Sequence, residues 1–402
     1  MSNSIRIGRR TLLAGAGTAG AAAALGKPAI AATKTFTVGV LGVLSGPDAA
    51  WGLVNKFCAT ATARMYNAAG GFPIGDDKYH IEVVPADTEL DPKIAVTGAE
   101  KLTQQLGLRY VIGPNTDTGA LSVTPVMNRS NTIFVPYAFS RKLYTPPAEN
   151  AILGMIASYE AGPIIYKYLM QKRGVKSISF LAANEPDALD QQKQGAEAAR
   201  NLNLKILSAD ATYQPSATDF FAVLSPLVRQ KPDLIVFSGV APATAPLLIK
   251  AARQLGYQGQ LSTETAQNIK ILQQGAGKYA EGFISVGGAS TPAIESDYMT
   301  RFAKEYKKVA GEWDDEAGTK VYALEMILRT IAKSGPKALT DTRLFKSAID
   351  NFEIANPFMK DHPPLRYVGA AYFKQKRQIG VPLVVNEVKA GAFQTLFVGF
   401  VS

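Results

Sequence analysis

Residues 36–52 read FTVGVLGVLSGPDAAWG. The apolar, β-branched run Phe36–Leu44 predicts a buried strand, and Ser45-Gly46-Pro47 predicts a tight turn directly after it. Apolar residues then recur at four-residue spacing and predict a helix over 51–69. A strand, a short turn and a helix in this order are typical of the start of a parallel α/β sheet.

The same alternation of short apolar runs and longer stretches of helical period continues along the chain. The predicted strands are Phe36–Leu44, Ile81–Pro85, Tyr110–Gly113, Ile133–Pro136, Ser177–Ala182, Leu204–Ala209, Leu234–Ser238 and Gly282–Val286. The predicted helices lie around 51–69, 92–106, 117–128, 158–173, 188–201, 218–230, 242–256, 295–309, 315–333 and 339–350. Because the alternation restarts after residue 153, we expect an α/β protein with two similar open sheets.

The C-terminal segment has a different pattern. Ala370–Lys374 and Val381–Val388 predict two antiparallel strands around a basic turn, added at the edge of the second sheet. A chain of this length exceeds what one hydrophobic core usually holds, which also favours two domains.

The N-terminus has the features of an export signal. Arg9 and Arg10 precede a short, Gly- and Ala-rich apolar run, and Ala29 and Ala31 supply the small residues that a signal peptidase requires. We therefore predict a signal peptide over residues 1–31, of the twin-arginine type, with a general secretory signal as the alternative. Both lead out of the cytoplasm, and no later apolar run reaches about 18 residues, so we expect an exported, soluble, periplasmic protein.

Catalytic and metal-binding patterns are weak in this sequence. The two histidines, His80 and His362, and the single cysteine, Cys58, are far apart and give no zinc-site or catalytic spacing. The first strand is followed by neither a P-loop nor a GxGxxG motif. The sequence thus predicts a protein that is not an enzyme and has no cofactor or metal.

Charge argues against a nucleic-acid partner. The formal net charge is +10, and it falls to +6 when the four basic residues of the predicted signal peptide are removed. No block of five or six like charges occurs. We interpret the remaining basic residues as a solvated surface.

In open parallel sheets, ligands bind beyond the carboxyl ends of the strands. The segments expected at that edge are Ser45–Gly52, Gly113–Ala120, Pro136–Leu143, Ala183–Asp190, Ser238–Pro242 and Ser262–Gln267.

Several short motifs carry a resemblance to a known family. They are, in order, Leu44–Gly52, Asn67–Gly71, Ala86-Asp87-Thr88 with Asp91-Pro92, Val111–Pro114, Val135-Pro136, Pro232-Asp233 and Ala280–Gly282. In these motifs and their order the chain resembles the leucine/isoleucine/valine-binding protein family, whose first loop reads S-G-P, three residues, an aromatic, then Gly.

The resemblance implies a type I periplasmic binding fold, with two doubly wound parallel-sheet lobes joined by three crossovers. Lobe 1 would comprise residues 32–153 and 287–362, and lobe 2 residues 154–286 and 363–402. The implied function is that of an extracytoplasmic solute-binding protein: a monomer that closes on a small-molecule solute and presents it to the permease and ATPase subunits of an ABC importer. A sensor subunit feeding a receptor, and an exported enzyme, are the alternatives.

The resemblance also implies two ligand-binding residues. Trp51 takes the place of an aromatic that packs on the ligand side chain, and the alternative is that it packs only within its lobe. Glu264 takes the place of the acid that pairs with a ligand ammonium group, and the alternative is an ordinary loop acid.

In the loop after the third strand, the family's usual serine, which holds a ligand carboxylate, is replaced by Asp117. Asp117 is a candidate to cap the following helix, to contact the ligand, or to do both, and as an ion it would repel a carboxylate. Thr116 and Thr118 flank it and are further candidates for ligand contact.

A second departure lies at Tyr137, Phe139 and Ser140. The two rings enlarge an apolar wall where amino-acid binders of the family have small residues and a threonine. Ser140 is a candidate for the lost hydroxyl donor, and Arg141 or Lys142 would serve an acidic ligand if the loop turns inward.

The family's two second-lobe tyrosines fall near Asp187 and Val240, which complete the set of candidates. These replacements leave three classes of solute open: a bulky amino acid, an aromatic acid, or a polar amide or amine.

Overall fold

The computed structural model describes residues 34–46, 48–290 and 294–399. The predicted signal peptide at residues 1–31 and Pro47 of the first loop lie outside these residues. The first sheet has five strands in the order β2-β3-β1-β4-β5. Its strands are β1 (Lys34–Gly42), β2 (Phe72–Ile74), β3 (Asp77–Asp87), β4 (Tyr110–Ile112) and β5 (Ile133–Val135). All pairs are parallel except β2 with β3.

Three helices connect the strands of this sheet. They are α1 (Ala49–Ala68), α2 (Pro92–Glu100) and α3 (Asp117–Arg129), with a π-helical turn at Lys101–Gln105 and a 3₁₀ turn at Arg141–Leu143. Helix α2 begins where Asp91 accepts hydrogen bonds from the N–H groups of Lys93 and Ile94 and Pro92 occupies the first helical position.

The chain then forms the parallel part of a second sheet. Its strands are β6 (Ser177–Ala183), β7 (Lys205–Tyr213), β8 (Leu234–Ser238), β9 (Gln260–Ala266) and β10 (Ile284–Gly287). The helices are α4 (Ser158–Arg173), α5 (Pro186–Asn201), α6 (Phe221–Arg229), α7 (Ala245–Gln254) and α8 (Ile269–Ala276), followed by a 3₁₀ turn at Gly277–Ala280.

After β10 the chain returns to the first sheet and then leaves it again. The returning helices are α9 (Asp297–Ala310), α10 (Ala317–Lys320), α11 (Tyr322–Ser334) and α12 (Thr342–Ala348), with 3₁₀ turns at Pro336–Leu339 and Ile349–Asn351. Helices α9, α10 and α11 pack against α1. A small antiparallel sheet of β11 (Glu353–Ile354), β12 (Leu365–Val368) and β13 (Gln378–Ile379) follows.

The last elements are α13 (Ala370–Phe373), between β12 and β13, and the strands β14 (Leu383–Lys389) and β15 (Ala392–Gly399). Strand β14 pairs antiparallel with β10, and β15 pairs antiparallel with β14, giving the order β15-β14-β10-β9-β8-β6-β7. The chain therefore passes between the two sheets three times. No helix within the described part of the chain is both long and apolar enough to cross a membrane.

The predicted α/β class with two open sheets and three crossovers is confirmed, and the lobe boundaries stay a prediction. The predicted strand at Ala370–Lys374 is wrong, because this segment forms the short helix α13, and the partner of β14 is β15 instead. The segment Ser262–Gln267, expected beyond a strand, mostly belongs to β9 itself.

Helix α1 begins very close to the end of β1. A Cβ atom at residue 52 would lie 2.1 Å from the carbonyl oxygen of Val43, so only glycine fits at this position without movement of the backbone. This close approach places Trp51, in the first turn of α1, at the carboxyl edge of the first sheet.

Candidate functional site

A cavity of about 230 Å³ lies between the two sheets, at the carboxyl ends of strands from both. Its first-sheet side is formed by segments that follow β1, β4 and β5, and its other side by segments that follow β6 and β8 and by the end of β9. Seven of the candidates line it: Trp51, Thr116, Thr118, Tyr137, Phe139, Asp187 and Val240. The carboxyl ends of the strands thus bring together residues that are up to 189 positions apart in sequence.

One wall of the cavity is aromatic. Trp51, Tyr137 and Phe139 all line it, and Tyr137 is only 4% exposed. The backbone N–H of Tyr137 donates to the carbonyl of Pro114 at 2.8 Å, which ties the loop after β5 to the loop after β4. Flat rings held in this way offer a large apolar surface at little cost in conformational entropy.

A buried ion pair that sequence reasoning missed also lines the cavity. The ammonium group of Lys320 lies 2.6 Å from Oε1 of Glu316 and 3.2 Å from the carbonyl oxygen of Trp51. It also lies 5.3 Å from the centroid of the Tyr137 ring. Glu316 is the last residue of the loop before α10, and Lys320 is the last residue of α10. Neither residue lies in a segment that directly follows a strand. The sequence signal for this ion pair is the spacing of four residues between Glu316 and Lys320, which places the two side chains on one face of a helix.

Asp117 does not line the cavity, and it is not the helix cap. Helix α3 is capped by Thr116, whose hydroxyl accepts from the N–H of Gly119 at 3.2 Å. The Asp117 carboxylate instead accepts from the backbone N–H groups of Phe139 at 2.6 Å and Ser140 at 2.9 Å. Asp117 therefore positions the loop that carries Phe139. Ser140 takes part through its backbone, and it does not line the cavity.

Asp187 connects the two sides of the cavity. It lies in the first turn of α5, and its carboxylate oxygens accept from the backbone N–H of Asp117 at 3.1 and 3.3 Å. Burial, followed by the negative charge of Asp117, raises the pKa of Asp187. Burial likewise raises the pKa of Asp117. Two acids in contact at this depth oppose each other's ionisation.

Glu264 lies behind the cavity wall. It belongs to β9 and does not line the cavity, although Thr265 and Ala266, which follow it in the strand, do. Its Oε1 accepts a hydrogen bond from the hydroxyl of Tyr166 in α4. Burial raises the pKa of Glu264 to about 7.

Arg141, a candidate contact for an acidic solute, points elsewhere. Its guanidinium carbon lies 4.8 Å from the ring centroid of Tyr159 and 5.6 Å from that of Tyr372. Its Nη2 donates to Gln194 at 3.5 Å. These contacts hold Arg141 outside the cavity lining.

Further residues complete the wall; most fall in the segments expected at the strand ends, whereas Leu90, Met155, Gln191, Glu316 and Lys320 lie outside those segments. The further residues are Leu90, Asn115, Met155, Glu185, Pro186, Ala188, Gln191, Gly239, Pro242, Thr265, Ala266, Glu316 and Lys320. Asn115 donates from Nδ2 to the carbonyl of Trp51 at 3.1 Å. Gln191 is 4% exposed, and its Oε1 has no hydrogen-bond partner among the described residues. Within the same residues, no group of three or more His, Cys, Asp or Glu side chains is placed to hold a metal ion.

The geometry of two sheets around one cavity has counterparts in known proteins. Residues 35–392 match the family model described as periplasmic binding protein. The Leu/Ile/Val-binding protein of Citrobacter freundii is 27% identical over 263 residues, which cover 63% of this chain and 68% of that protein.

Two solved structures illustrate the likeness of the fold. One is the branched-chain amino acid transporter substrate-binding protein of Streptococcus pneumoniae in complex with isoleucine, with a TM-score of 0.75, 20% identity, and coverage of 92% of this chain and 99% of that one. The other is an ABC transporter solute-binding protein of R. palustris in complex with 4-hydroxybenzoate, with a TM-score of 0.73, 17% identity, and coverage of 91% and 97%.

Proposed function

Since this chain belongs to the periplasmic binding protein family, we propose that it is an extracytoplasmic solute-binding protein that captures a small solute between its two sheets and delivers it to the permease of an ABC importer. Membership of this family confirms the resemblance seen in the sequence and the expectation of a binding protein rather than an enzyme. The proposed solute is an amino-acid-like, aromatic or amide compound.

The observation that carries this proposal is a cavity walled from both sheets. Trp51 and Tyr137 come from the first sheet, and Asp187 and Val240 come from the second. A solute bound there touches both sides, so its binding energy favours the form in which the sides are together. A cavity of about 230 Å³ suits a compound of the size of an amino acid or a substituted benzene.

The proposed mechanism is hinge closure of two lobes, residues 32–153 with 287–362 and residues 154–286 with 363–402. The three passages of the chain between the sheets supply the hinge. A permease that recognises only the closed form would then distinguish the loaded protein from the empty one. We place this cycle in the periplasm, with a monomer as the binding unit and the ATPase subunit as the energy source.

Two measurements on the mature chain test the proposal. A thermal-shift panel of amino acids, aromatic acids, amides and amines should identify at least one solute that raises the melting temperature. Small-angle scattering with that solute should show a smaller radius of gyration than without it. A solute that raises the melting temperature without compaction would contradict closure.

Trp51→Ala tests the position of the site. We expect it to weaken binding of the identified solute more than tenfold, which is about 1.4 kcal/mol, because the variant loses the indole from the aromatic wall. Phe221→Ala is the matched control, since Phe221 is an aromatic residue that is 43% exposed and outside the cavity lining. Equal affinity in the two variants would place the solute elsewhere.

A further inference from the structure

We infer that this cleft selects a solute that has no carboxylate and that donates hydrogen bonds, such as an amide, an amine or an amidine. The inference rests on the proposed function and concerns the chemistry of the same cavity. It follows from how the chain's own carboxylates are placed around the cavity, together with one buried acceptor in the wall.

The first pair of backbone donors is already bonded within the chain. The N–H groups of Phe139 and Ser140 both donate to Oδ1 of Asp117, at 2.6 and 2.9 Å. Asp117 is 7% exposed and lies outside the cavity lining, so this carboxylate is a fixed part of the interior next to the Phe139 loop and not a surface group. A solute carboxylate that approached this loop would have to displace it.

The start of α3 is occupied in the same way. A helix N-terminus normally binds anions well, because its first N–H groups lack partners. Here the N–H of Asp117 donates to the carboxylate of Asp187, and the N–H of Gly119 donates to the hydroxyl of Thr116. The carboxylate at the N-terminus of α3 is therefore that of Asp187 in α5, on the opposite side of the cavity.

The charged side chains of the lining do not compensate for a further anion. Lys320 is the cation of the lining, and its ammonium already contacts Glu316 at 2.6 Å and the carbonyl of Trp51 at 3.2 Å. Glu185 and Asp187 lie at the start of α5 and also line the cavity. A solute carboxylate would thus lie beside the carboxyl groups of Glu185 and Asp187, and the described residues of the lining offer it no unpaired cation, which disfavours binding of its ionised form.

The wall also contains an acceptor that a donating solute would satisfy. Oε1 of Gln191 is buried in a residue that is 4% exposed, and no described residue donates to it. Gln191 lies on α5, one turn after Asp187, so both acceptors belong to the same side of the cavity. An N–H from a solute would pair a buried oxygen that otherwise bears an unfavourable desolvation cost.

Matched pairs of probes test the inference directly. Benzamide and benzamidine have nearly the shape of benzoate, and phenylalaninamide has nearly the shape of phenylalanine, so each pair differs mainly at the carboxyl position. All five are measured by thermal shift and calorimetry on the mature chain at pH 7.5, within a wider panel of amines, amides, amino acids and aromatic acids. We expect the amide or amidine member to bind at least tenfold more tightly than its carboxylate.

Variants then assign the preference to the carboxylates. Asp187→Asn removes one charge with little change of shape and should reduce the ratio of benzamidine to benzoate affinity at least fivefold. Glu197→Gln is the matched control, because Glu197 is an exposed acid further along α5 and should leave the ratio unchanged. If Asp187→Asn lowers the melting temperature so far that it does not fold, Glu185→Gln provides the same test.

The outcomes separate the two proposals. Carboxylates that bind as tightly as their amides would overturn the inference and leave the binding function standing. Binding by no member of either class would overturn both. An unchanged ratio in a folded Asp187→Asn or Glu185→Gln variant would show that these carboxylates do not set the preference.

Discussion

Lys320→Met should destabilise the protein strongly at neutral pH. The Lys320 side chain is 3% exposed, and its partner Glu316 is 11% exposed. Methionine has a similar length and no charge, so the substitution leaves the Glu316 carboxylate buried without a cation. It also removes one of the two side-chain donors to the carbonyl oxygen of Trp51, while Asn115 Nδ2 remains at 3.1 Å.

The expected magnitude follows from this burial. Removing one partner of a buried ion pair costs about 3–5 kcal/mol, because the charge that remains is unsolvated and unpaired. Replacing both partners is much less costly, so Glu316→Gln combined with Lys320→Met should recover at least half of the loss. The double variant is therefore the control for packing.

The loss should also depend on pH. Burial raises the pKa of Glu316, and Lys320 opposes that effect. Without Lys320 the folded-state pKa rises further above that of the unfolded chain. Stability in the single variant is then highest at low pH, where Glu316 is protonated in both states, and falls as the pH rises from the unfolded-state pKa towards the folded-state pKa.

Denaturant unfolding followed by circular dichroism at pH 5 and pH 7.5 measures these effects. We expect the free energy of unfolding of Lys320→Met to fall by about 3–5 kcal/mol at pH 7.5 and by less at pH 5. A single variant within about 1 kcal/mol of the unchanged chain at pH 7.5 would refute the reasoning, since that is the value of an exposed pair.

Two further substitutions test other parts of the structure. Because burial raises the pKa of Glu264 to about 7, the folded chain keeps a proton that the unfolded chain loses between about pH 4.5 and 7, so stability should fall with rising pH over that range, and calorimetry should show a smaller fall in Glu264→Gln. The same variant should bind the solute with unchanged affinity, and a tenfold loss would place Glu264 in the cavity after all. Gly52→Ala should lower the free energy of unfolding by about 1–3 kcal/mol, since its Cβ would lie 2.1 Å from the Val43 carbonyl oxygen; an unchanged value in denaturant unfolding would contradict the close packing of α1 on β1.

The fold and much of the cavity wall could be predicted from sequence. Hydrophobic period separates strands from helices, and parallel topology brings strand ends to one edge, so Trp51, Tyr137 and Val240 could be grouped without a structure. What these residues share is a position in the loop after a strand or in the first turn of the helix that follows it. Local pattern is enough to find such positions.

The positions of Glu264, Lys320 and Glu316 could not be predicted, because they depend on contacts between segments that are distant in sequence. Glu264 was expected beyond a strand, but it lies within β9, which continues to Ala266, and its carboxyl group is bonded to Tyr166 in α4. Lys320 and Glu316 reach the cavity only because the chain returns from β10 and packs α10 against α1. Their i, i+4 spacing is common on solvated helices, so it did not mark a buried pair.

Asp117 shows how one residue can change the chemistry of a cleft without changing its fold. At the position where the resembling family has a serine, the longer acidic side chain reaches the N–H groups of Phe139 and Ser140. A serine hydroxyl is a donor as well as an acceptor, whereas an ionised carboxylate only accepts. The loops keep their places because their donors are satisfied. The same bonds mean that a carboxyl group of the chain itself already occupies the two backbone donors of the loop that carries Phe139.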